Sequence, residues 1–238
     1  MREPSSGERV VVVSPHLDDG VLSLGASIAS WSRAGAAVEL LTVLGCDPGS
    51  TSLSGGWDRR GGFATEGASA LARREEDRQA CRVLDATPVW LPFGSVDYER
   101  HGDEADVRRA VGDAVAGPDI LLLPGFPLSH PDHDWLARTL VSDFKSDTSR
   151  GAGRIGLYAE QPYTRRVGGR PHVPAVLADL VGPAAFEPVR APVRDRVAKW
   201  RAIRCYTSQL PLLAMRGSLR RGPHRYAAAP EWIAWGPD

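Results

Sequence analysis

The sequence predicts an α/β fold built on a mostly parallel sheet, and three observations predict it. Short aliphatic runs, ERVVVVS at 8–14, VELLTVL at 38–44 and DILLLPG at 119–125, lack the alternation of a half-exposed strand and read as strands covered on both faces. Between them lie segments whose apolar residues recur at helical spacing. Strands and helices alternate along the chain, the order of repeated strand–helix–strand units with right-handed crossovers.

The elements follow in sequence. Residues 8–14 make the first strand, central in the sheet because four consecutive valines leave no polar face. VLSLGASIASWSR, 21–33, places Val21, Leu24, Ile28 and Trp31 on one helical face, and Gly35 marks the stop. Strand 38–44 follows, then helix 70–85, strand 88–93, helix 105–116, strand 119–125, helix 135–144 and strand 154–160. Beyond Glu160 the chain is rich in Pro, Gly and Arg, and only 193–206 has a helical pattern. A chain of 238 residues suits one domain. It divides into an α/β core over 8–160 and a C-terminal extension, 161–238, that contributes to the substrate site. The expected architecture is Rossmann-like, three layers with strand order 3-2-1-4-5. Residues 45–68, rich in Gly and Ser, are too long for a plain crossover turn; such segments are lids, binding loops or disordered.

Composition narrows the function. With 29 basic and 29 acidic side chains the formal net charge is zero, so there is no electrostatic footprint for nucleic acid or an anionic membrane, and a small molecule is the expected partner. Cys46, Cys81 and Cys205 form no C-x-x-C pattern, which argues against a disulfide framework or a thiolate zinc site and fits a reducing cytoplasm. The opening MREPSSGERV has no apolar stretch of a signal peptide, and no run approaches the roughly 18 apolar residues of a membrane span.

Two polar clusters carry the chemistry. His16, Asp18 and Asp19 follow the first strand in SPHLDDG; His130, Asp132 and His133 follow the fourth in SHPDHDW. In the expected strand order these strands are neighbours at the switch point, so both clusters open on one rim, at the strands' carboxyl ends. Two imidazoles with one carboxylate are the ligand set of a catalytic zinc whose fourth position stays open; iron or manganese suits the same donors. A second aspartate beside the ligands can then take a proton from water. Each cluster also has a plain structural alternative: Asp-Asp as a helix N-cap and first-turn acid, Asp132 as the cap of WLARTL. A dinucleotide site would need G-x-G-x-x-G after the first strand, where this chain has PHLDDG, whose acids repel phosphate.

These residues resemble the LmbE-like, or PIG-L, family of zinc-dependent N-acetylglucosaminyl deacetylases. The family's P-H-x-D-D-E matches at Pro15, His16, Asp18 and Asp19, and its H-P-D-H at 130–133. An R-x-x-E-x-x-x-A-x-x-x-L helix matches at Arg73, Glu76, Ala80 and Leu84, and a K…H-x-S-Q pattern is echoed by Lys199 and YTSQ at 206–209. The resemblance covers residues 8 to about 210. It implies one zinc held by His16, Asp19 and His133, Asp18 as general base, His130 as a stabiliser of the tetrahedral intermediate, and sugar contacts from Arg73, from Asp97 and, more weakly, from Asp47. It departs from the family at Gly20, where glutamate is usual, at Leu128, where some relatives have a tyrosine for which Tyr163 would have to substitute, and at Tyr206, where histidine is common.

The expected reaction is hydrolysis of the N-acetyl amide of an amino sugar, on a glycosylated small molecule of secondary metabolism. The alternatives are an amidase or deacetylase acting on a sugar-thiol precursor or conjugate, and a non-catalytic sugar-binding relative. Several residues keep bland expectations beside functional ones: Arg73 as a solvated ion-pairing position, Asp97 as a turn residue, Trp57 as a loop anchor, and His101, His172 and His224 as surface histidines.

Overall fold

The computed structural model describes residues 3–98, 103–146, 153–215 and 227–237. Its strands are β1 (Arg9–Ser14), β2 (Ala37–Thr42), β3 (Thr87–Trp90), β4 (Ile120–Phe126), β5 (Arg154–Ala159), β6 (Glu187–Val189) and β7 (Glu231–Trp235). Its helices are α1 (Asp19–Arg33), α2 (Gly56–Arg60), α3 (Glu66–Leu84), α4 (Glu104–Ala114), α5 (Pro131–Ser146), α6 (Tyr163–Val167), α7 (Ala178–Val181), α8 (Val193–Ile203) and α9 (Leu210–Met215).

The strands make one sheet in the order β3-β2-β1-β4-β5-β7-β6, parallel from β3 to β5, as the alternating pattern predicts. The run of valines explains why β1 is central. Val10 and Val12 face a core shared with Leu24, Ile28 and Trp31 of α1, while Val11 and Val13 face a second core with Leu136 and Leu140 of α5. All four are fully buried, and burying a valine contributes about 1.5 kcal/mol or more, so a polar residue on either face would be costly.

Two parts of the fold differ from expectation, and a third narrows a choice that the sequence leaves open. First, the C-terminal segment adds two strands to the five that the sequence predicts: β7 pairs antiparallel with β5, and β6 with β7. β6 is three residues, EPV, with a proline at its centre, and the apolar EWIAW of β7 is too short to separate from a buried helix segment by pattern alone. Second, helices begin earlier than their apolar periodicity. α3 starts at Glu66 because the Thr65 hydroxyl accepts the Ala68 N–H, and α5 starts at Pro131, with the His130 carbonyl accepting from His133 and Asp134. Polar first turns are invisible to periodicity but favoured by caps and by proline at the first helical position. Third, 45–68 is an ordered loop holding α2 and a bridge from Leu53 to Thr65, and Arg74 clamps its start by donating to the carbonyls of Gly45 and Cys46.

The resemblance's remaining motifs become a clasp. Glu76 of α3 accepts from the hydroxyls of Thr207 and Ser208 and from the Ser208 N–H, each at 2.7 Å. Beside it Tyr206, 1% exposed, donates to Asp77 at 2.6 Å, and Trp90 donates to the same carboxylate at 2.7 Å. Lys199 is fully buried and pairs with Glu231 at 2.6 Å, its stem lying against Gly25, where a Cβ would meet Lys199 Cγ at 2.8 Å. Tyr206 and Lys199 thus hold α3 and α8 to the sheet. Tyr206→Phe is expected to cost about 1–3 kcal/mol, because it leaves buried Asp77 short of a donor; urea unfolding measures it, and an unchanged midpoint would contradict the assignment.

Candidate active site

The rim at the carboxyl ends of β1 and β4 is organised by short polar contacts. Ser14, the last residue of β1, is buried; its hydroxyl accepts the Gly20 N–H at 2.9 Å and donates to the His16 carbonyl at 2.6 Å, folding PHLDD into a tight turn. Asp19 opens α1, and its Oδ2 accepts the His16 N–H at 3.1 Å. From β4 the chain turns through Leu128, at φ 55°, to His130, and the first turn of α5 presents Asp132 and His133, both fully buried.

Three donor atoms converge. His16 Nδ1 lies 3.0 Å from Asp19 Oδ2, His133 Nε2 lies 3.1 Å from the same oxygen, and the two nitrogens are 3.1 Å apart. Tetrahedral zinc with N/O bonds of about 2.0–2.1 Å spaces its ligands about 3.3 Å apart, so the triangle fits a cation on its open side. The chemistry agrees with the geometry. His16 Nε2 is 3.1 Å from Asp132 Oδ2 and His133 Nδ1 is 2.5 Å from Glu160 Oε1, so each ring can donate outward and keep a lone pair facing the triangle. A second donor set, His16, His130 and His133, has its ligand atoms within 4.8 Å of one another, a looser grouping.

Electrostatics separate the neighbouring groups. Burial works against ionised Asp19, but the charges and hydrogen bonds of His133 and His16 hold its carboxyl far below the usual range. Asp18 is pushed up to about 6, first by burial and then by the charge of Asp19, with Arg73 pulling the other way. It occupies the N-cap position of α1 yet makes no capping hydrogen bond, so the plain helix-cap alternative does not describe it; it lines the cleft instead. His130 is pushed down to about 4 by burial and by His16 and His133, which makes it a neutral ring. Its Nδ1 accepts the Asp132 N–H at 3.2 Å, so the ring proton sits on Nε2. A stabilising role for His130 therefore does not require an imidazolium.

Residues 11–143, more than half the chain, match the family described as PIG-L: GlcNAc-PI de-N-acetylase. The chain belongs to the PIG-L family.

No curated protein sequence matches it. Among solved structures, it is similar to the antimicrobial reagent A40926 pseudoaglycone deacetylase Dbv21, with 25% identity over 96% of each chain and a TM-score of 0.75. It is similar in fold to the zinc inhibited form of the teicoplanin deacetylase Orf2, with 21% identity, coverage of 95% of this chain and 97% of that one, and a TM-score of 0.73. It is also similar in fold to the 4-carboxy-2-hydroxymuconate hydratase GalB from Pseudomonas putida KT2440, with 21% identity over 97% of each chain and a TM-score of 0.58. A hydratase on the same scaffold means that the site, rather than the fold, carries the argument for chemistry.

The rest of this PIG-L cleft gathers some of the expected residues and leaves others out. Arg73 lines it but is not a solvated helix position: its side chain is 12% exposed and pairs at 3.3 Å with Asp58, which also accepts from the Tyr98 hydroxyl at 2.5 Å. Asp97 is at the rim, its carboxylate accepting the Trp57 N–H at 2.8 Å. Asp47 is not brought to the cleft; its carboxylate accepts the Gly49 N–H at 2.8 Å in a local turn, which is what an Asp before Pro-Gly favours. Trp57 is both anchor and wall: its indole N–H donates to Gln209 at 2.7 Å, and the ring lines the cleft. Tyr163 also lines it, with its ring 5.0 Å from that of His133 and 6.1 Å from that of His130; burial pushes its phenol well above the usual range, so it keeps its proton. At Gly20 an added Cβ would lie 2.4 Å from Leu40 Cδ1, so packing occupies the position where the family's glutamate stands. His172 is exposed and packs edge-on against Phe126, ring centroids 4.8 Å apart. His101 and His224 lie outside the described residues.

Proposed function

We propose that this protein is a zinc-dependent N-deacetylase that hydrolyses the N-acetyl amide of an amino sugar carried on a glycosylated small molecule. The observation that carries the reading is the three-donor triangle with an unliganded carboxylate, Asp18, next to it at one end of a cleft. His16, Asp19 and His133 would hold the metal, one ion per chain. When bound, zinc supplies a Lewis acid for the acyl carbonyl and lowers the pKa of water to about 7.

The protein's own groups divide the remaining work. Asp18 accepts a proton from the attacking water at its carboxylate and returns it to the amine as the C–N bond breaks, leaving acetate and the free amino sugar. His130 Nε2–H donates to the oxyanion, the kind of fixed donor that acyl transfer uses most. Tyr163 is a second protonated donor in the same cleft and stands in for the tyrosine that Leu128 replaces. Asp132 orients His16. Arg73, fixed by Asp58, faces the sugar, with Asp97 at the rim; Asp47 is left without a part. The likeness to an A40926 pseudoaglycone deacetylase supports an amino sugar on a larger body, as does Val96, a cleft-lining residue that is 53% exposed. Among the described residues no helix is long and apolar enough to cross a membrane, and the three cysteines are unpaired, in keeping with a cytoplasmic enzyme.

The test is acetate release from N-acetylglucosaminyl glycosides and from an N-acetylglucosaminyl thiol precursor, with zinc analysis of the same preparation. The expected result is one zinc per chain and acetate from the bulky glycoside, abolished by a chelator and restored by zinc. Turnover of the thiol precursor alone would reassign the substrate. Zinc-loaded protein that binds glycoside and releases no acetate would make it a sugar-binding relative.

A further inference from the structure

Glu160 is fully buried just past the end of β5, and the resemblance assigns it nothing. An ionised carboxylate there is costly unless each oxygen is compensated. Both are. Oε1 lies 2.5 Å from His133 Nδ1, and Oε2 accepts the Leu128 N–H at 3.2 Å. The backbone of Glu160 is clamped as well: its N–H donates to the Phe126 carbonyl at 2.6 Å, and its own carbonyl accepts from the Thr164 N–H at 2.9 Å and hydroxyl at 2.8 Å. The carboxylate therefore starts from a point fixed by β4 on one side and by α6 on the other.

Its two partners matter to the site in different ways. His133 must carry its proton on Nδ1 to leave Nε2 bare, and Oε1 receives that proton. Leu128 sits at φ 55°, a conformation unfavourable for leucine, in the turn that leads two residues later to His130. A bond from its N–H to Oε2 holds the turn there. A single side chain thus fixes the ring of one proposed ligand and the backbone approach of the neighbouring donor.

We propose that Glu160 is the positioning residue of this centre, holding His133 in the Nδ1–H tautomer and pinning the β4–α5 turn through Leu128. It acts through these two residues and does not touch the substrate. The inference rests on the reading of His16, Asp19 and His133 as metal ligands. Glutamine is the informative replacement, because it matches glutamate in shape but can accept at one end only. Whichever way the amide turns, its NH2 faces either His133 Nδ1–H or the Leu128 N–H, and one donor loses its acceptor.

The experiment measures zinc affinity of wild type and Glu160→Gln by competition with a chromophoric chelator, with the ligand-field spectrum of the cobalt-substituted proteins alongside. The expected result is 10- to 100-fold weaker zinc binding in the variant and an altered cobalt spectrum, the size of effect that partners behind a ligand produce. Equal affinity and superimposable spectra would overturn the positioning role. If wild type itself binds no zinc, the metal reading fails instead, and the two failures are distinct. Should Glu160→Gln not fold, Glu160→Asp, which keeps the charge on a shorter arm, is measured the same way; wild-type affinity in that variant would equally overturn the proposal.

Discussion

Asp18→Asn is expected to keep its zinc and lose turnover by about 10²- to 10⁴-fold, the range that general acid–base catalysis contributes. The argument turns on two adjacent aspartates that the fold treats in opposite ways. Asp19 Oδ2 is engaged by three nitrogens, the His16 N–H, His16 Nδ1 and His133 Nε2, all within 3.1 Å. The Asp18 carboxylate takes no part in capping α1, is 8% exposed and lines the cleft. With its pKa raised to about 6 by burial and by Asp19, it is ionised at neutral pH yet basic enough to take a proton, and Arg73 keeps the shift from going further. Asparagine matches it in shape and cannot carry a proton away. The loss should fall on kcat with little change in KM, since the group acts in the transition state rather than in binding. Steady-state acetate release with zinc analysis measures both. Wild-type kcat in the variant would remove Asp18 as the base, and loss of zinc would exchange its role with that of Asp19.

How much of this could be read from the sequence depends on how local the cause is. Four valines make β1 central because both faces are buried, and no other context is needed to see it. His16, Asp18, Asp19 and H-P-D-H are conspicuous because polar residues follow directly on buried strands. Their meeting followed from strand order, since β1 and β4 pair in parallel with Val12 opposite Leu122. What was not legible depends on partners distant in sequence. Asp58 is buried in the long loop because Arg73 and Tyr98 reach it from elsewhere, and nothing in GGWDRR announces that. Glu160 carried a usable signal, an acid at the carboxyl end of a strand beside the switch point, but a single carboxylate outside a motif reads as a strand terminus. β6 and β7 stayed hidden because pairing, of β7 with β5 and of β6 with β7, rather than any strong pattern of their own, makes them strands. The family motifs mix a residue that lines the cleft, Arg73, with structural ones: Glu76 and Tyr206 tie α3 to the segment after α8, and Lys199 ties α8 to β7. Sequence spacing does not distinguish those two uses.

Asp19→Ala is expected to abolish tight zinc binding and with it acetate release, leaving less activity than Asp18→Asn, in which the donor triangle is intact. Removing Asp19 takes the only anion from that triangle and leaves two imidazole nitrogens facing each other at 3.1 Å. Two histidines without the carboxylate lack both a ligand and the charge that favours a divalent cation, so the cost should exceed the 10- to 100-fold produced by losing a partner behind a ligand. Thermal melts give a second readout. Zinc that binds only the native state stabilises wild type by RT ln(1 + [L]/Kd), about 2.7 kcal/mol at one hundred times Kd, and this zinc-dependent rise in Tm should vanish in the variant. The metal-free protein should be weakened as well. Burial opposes a proton on His133, and the charges of Glu160 and Asp19 together raise its pKa well above the usual value, so without Asp19 one of those two supports is gone. The opposite result would be as informative: an Asp19→Ala protein that still binds one zinc with wild-type affinity would assign the third ligand to His130, whose ligand atom lies within 4.8 Å of those of His16 and His133. In that case the oxyanion donor would have to be Tyr163, and Tyr163→Phe would lower kcat.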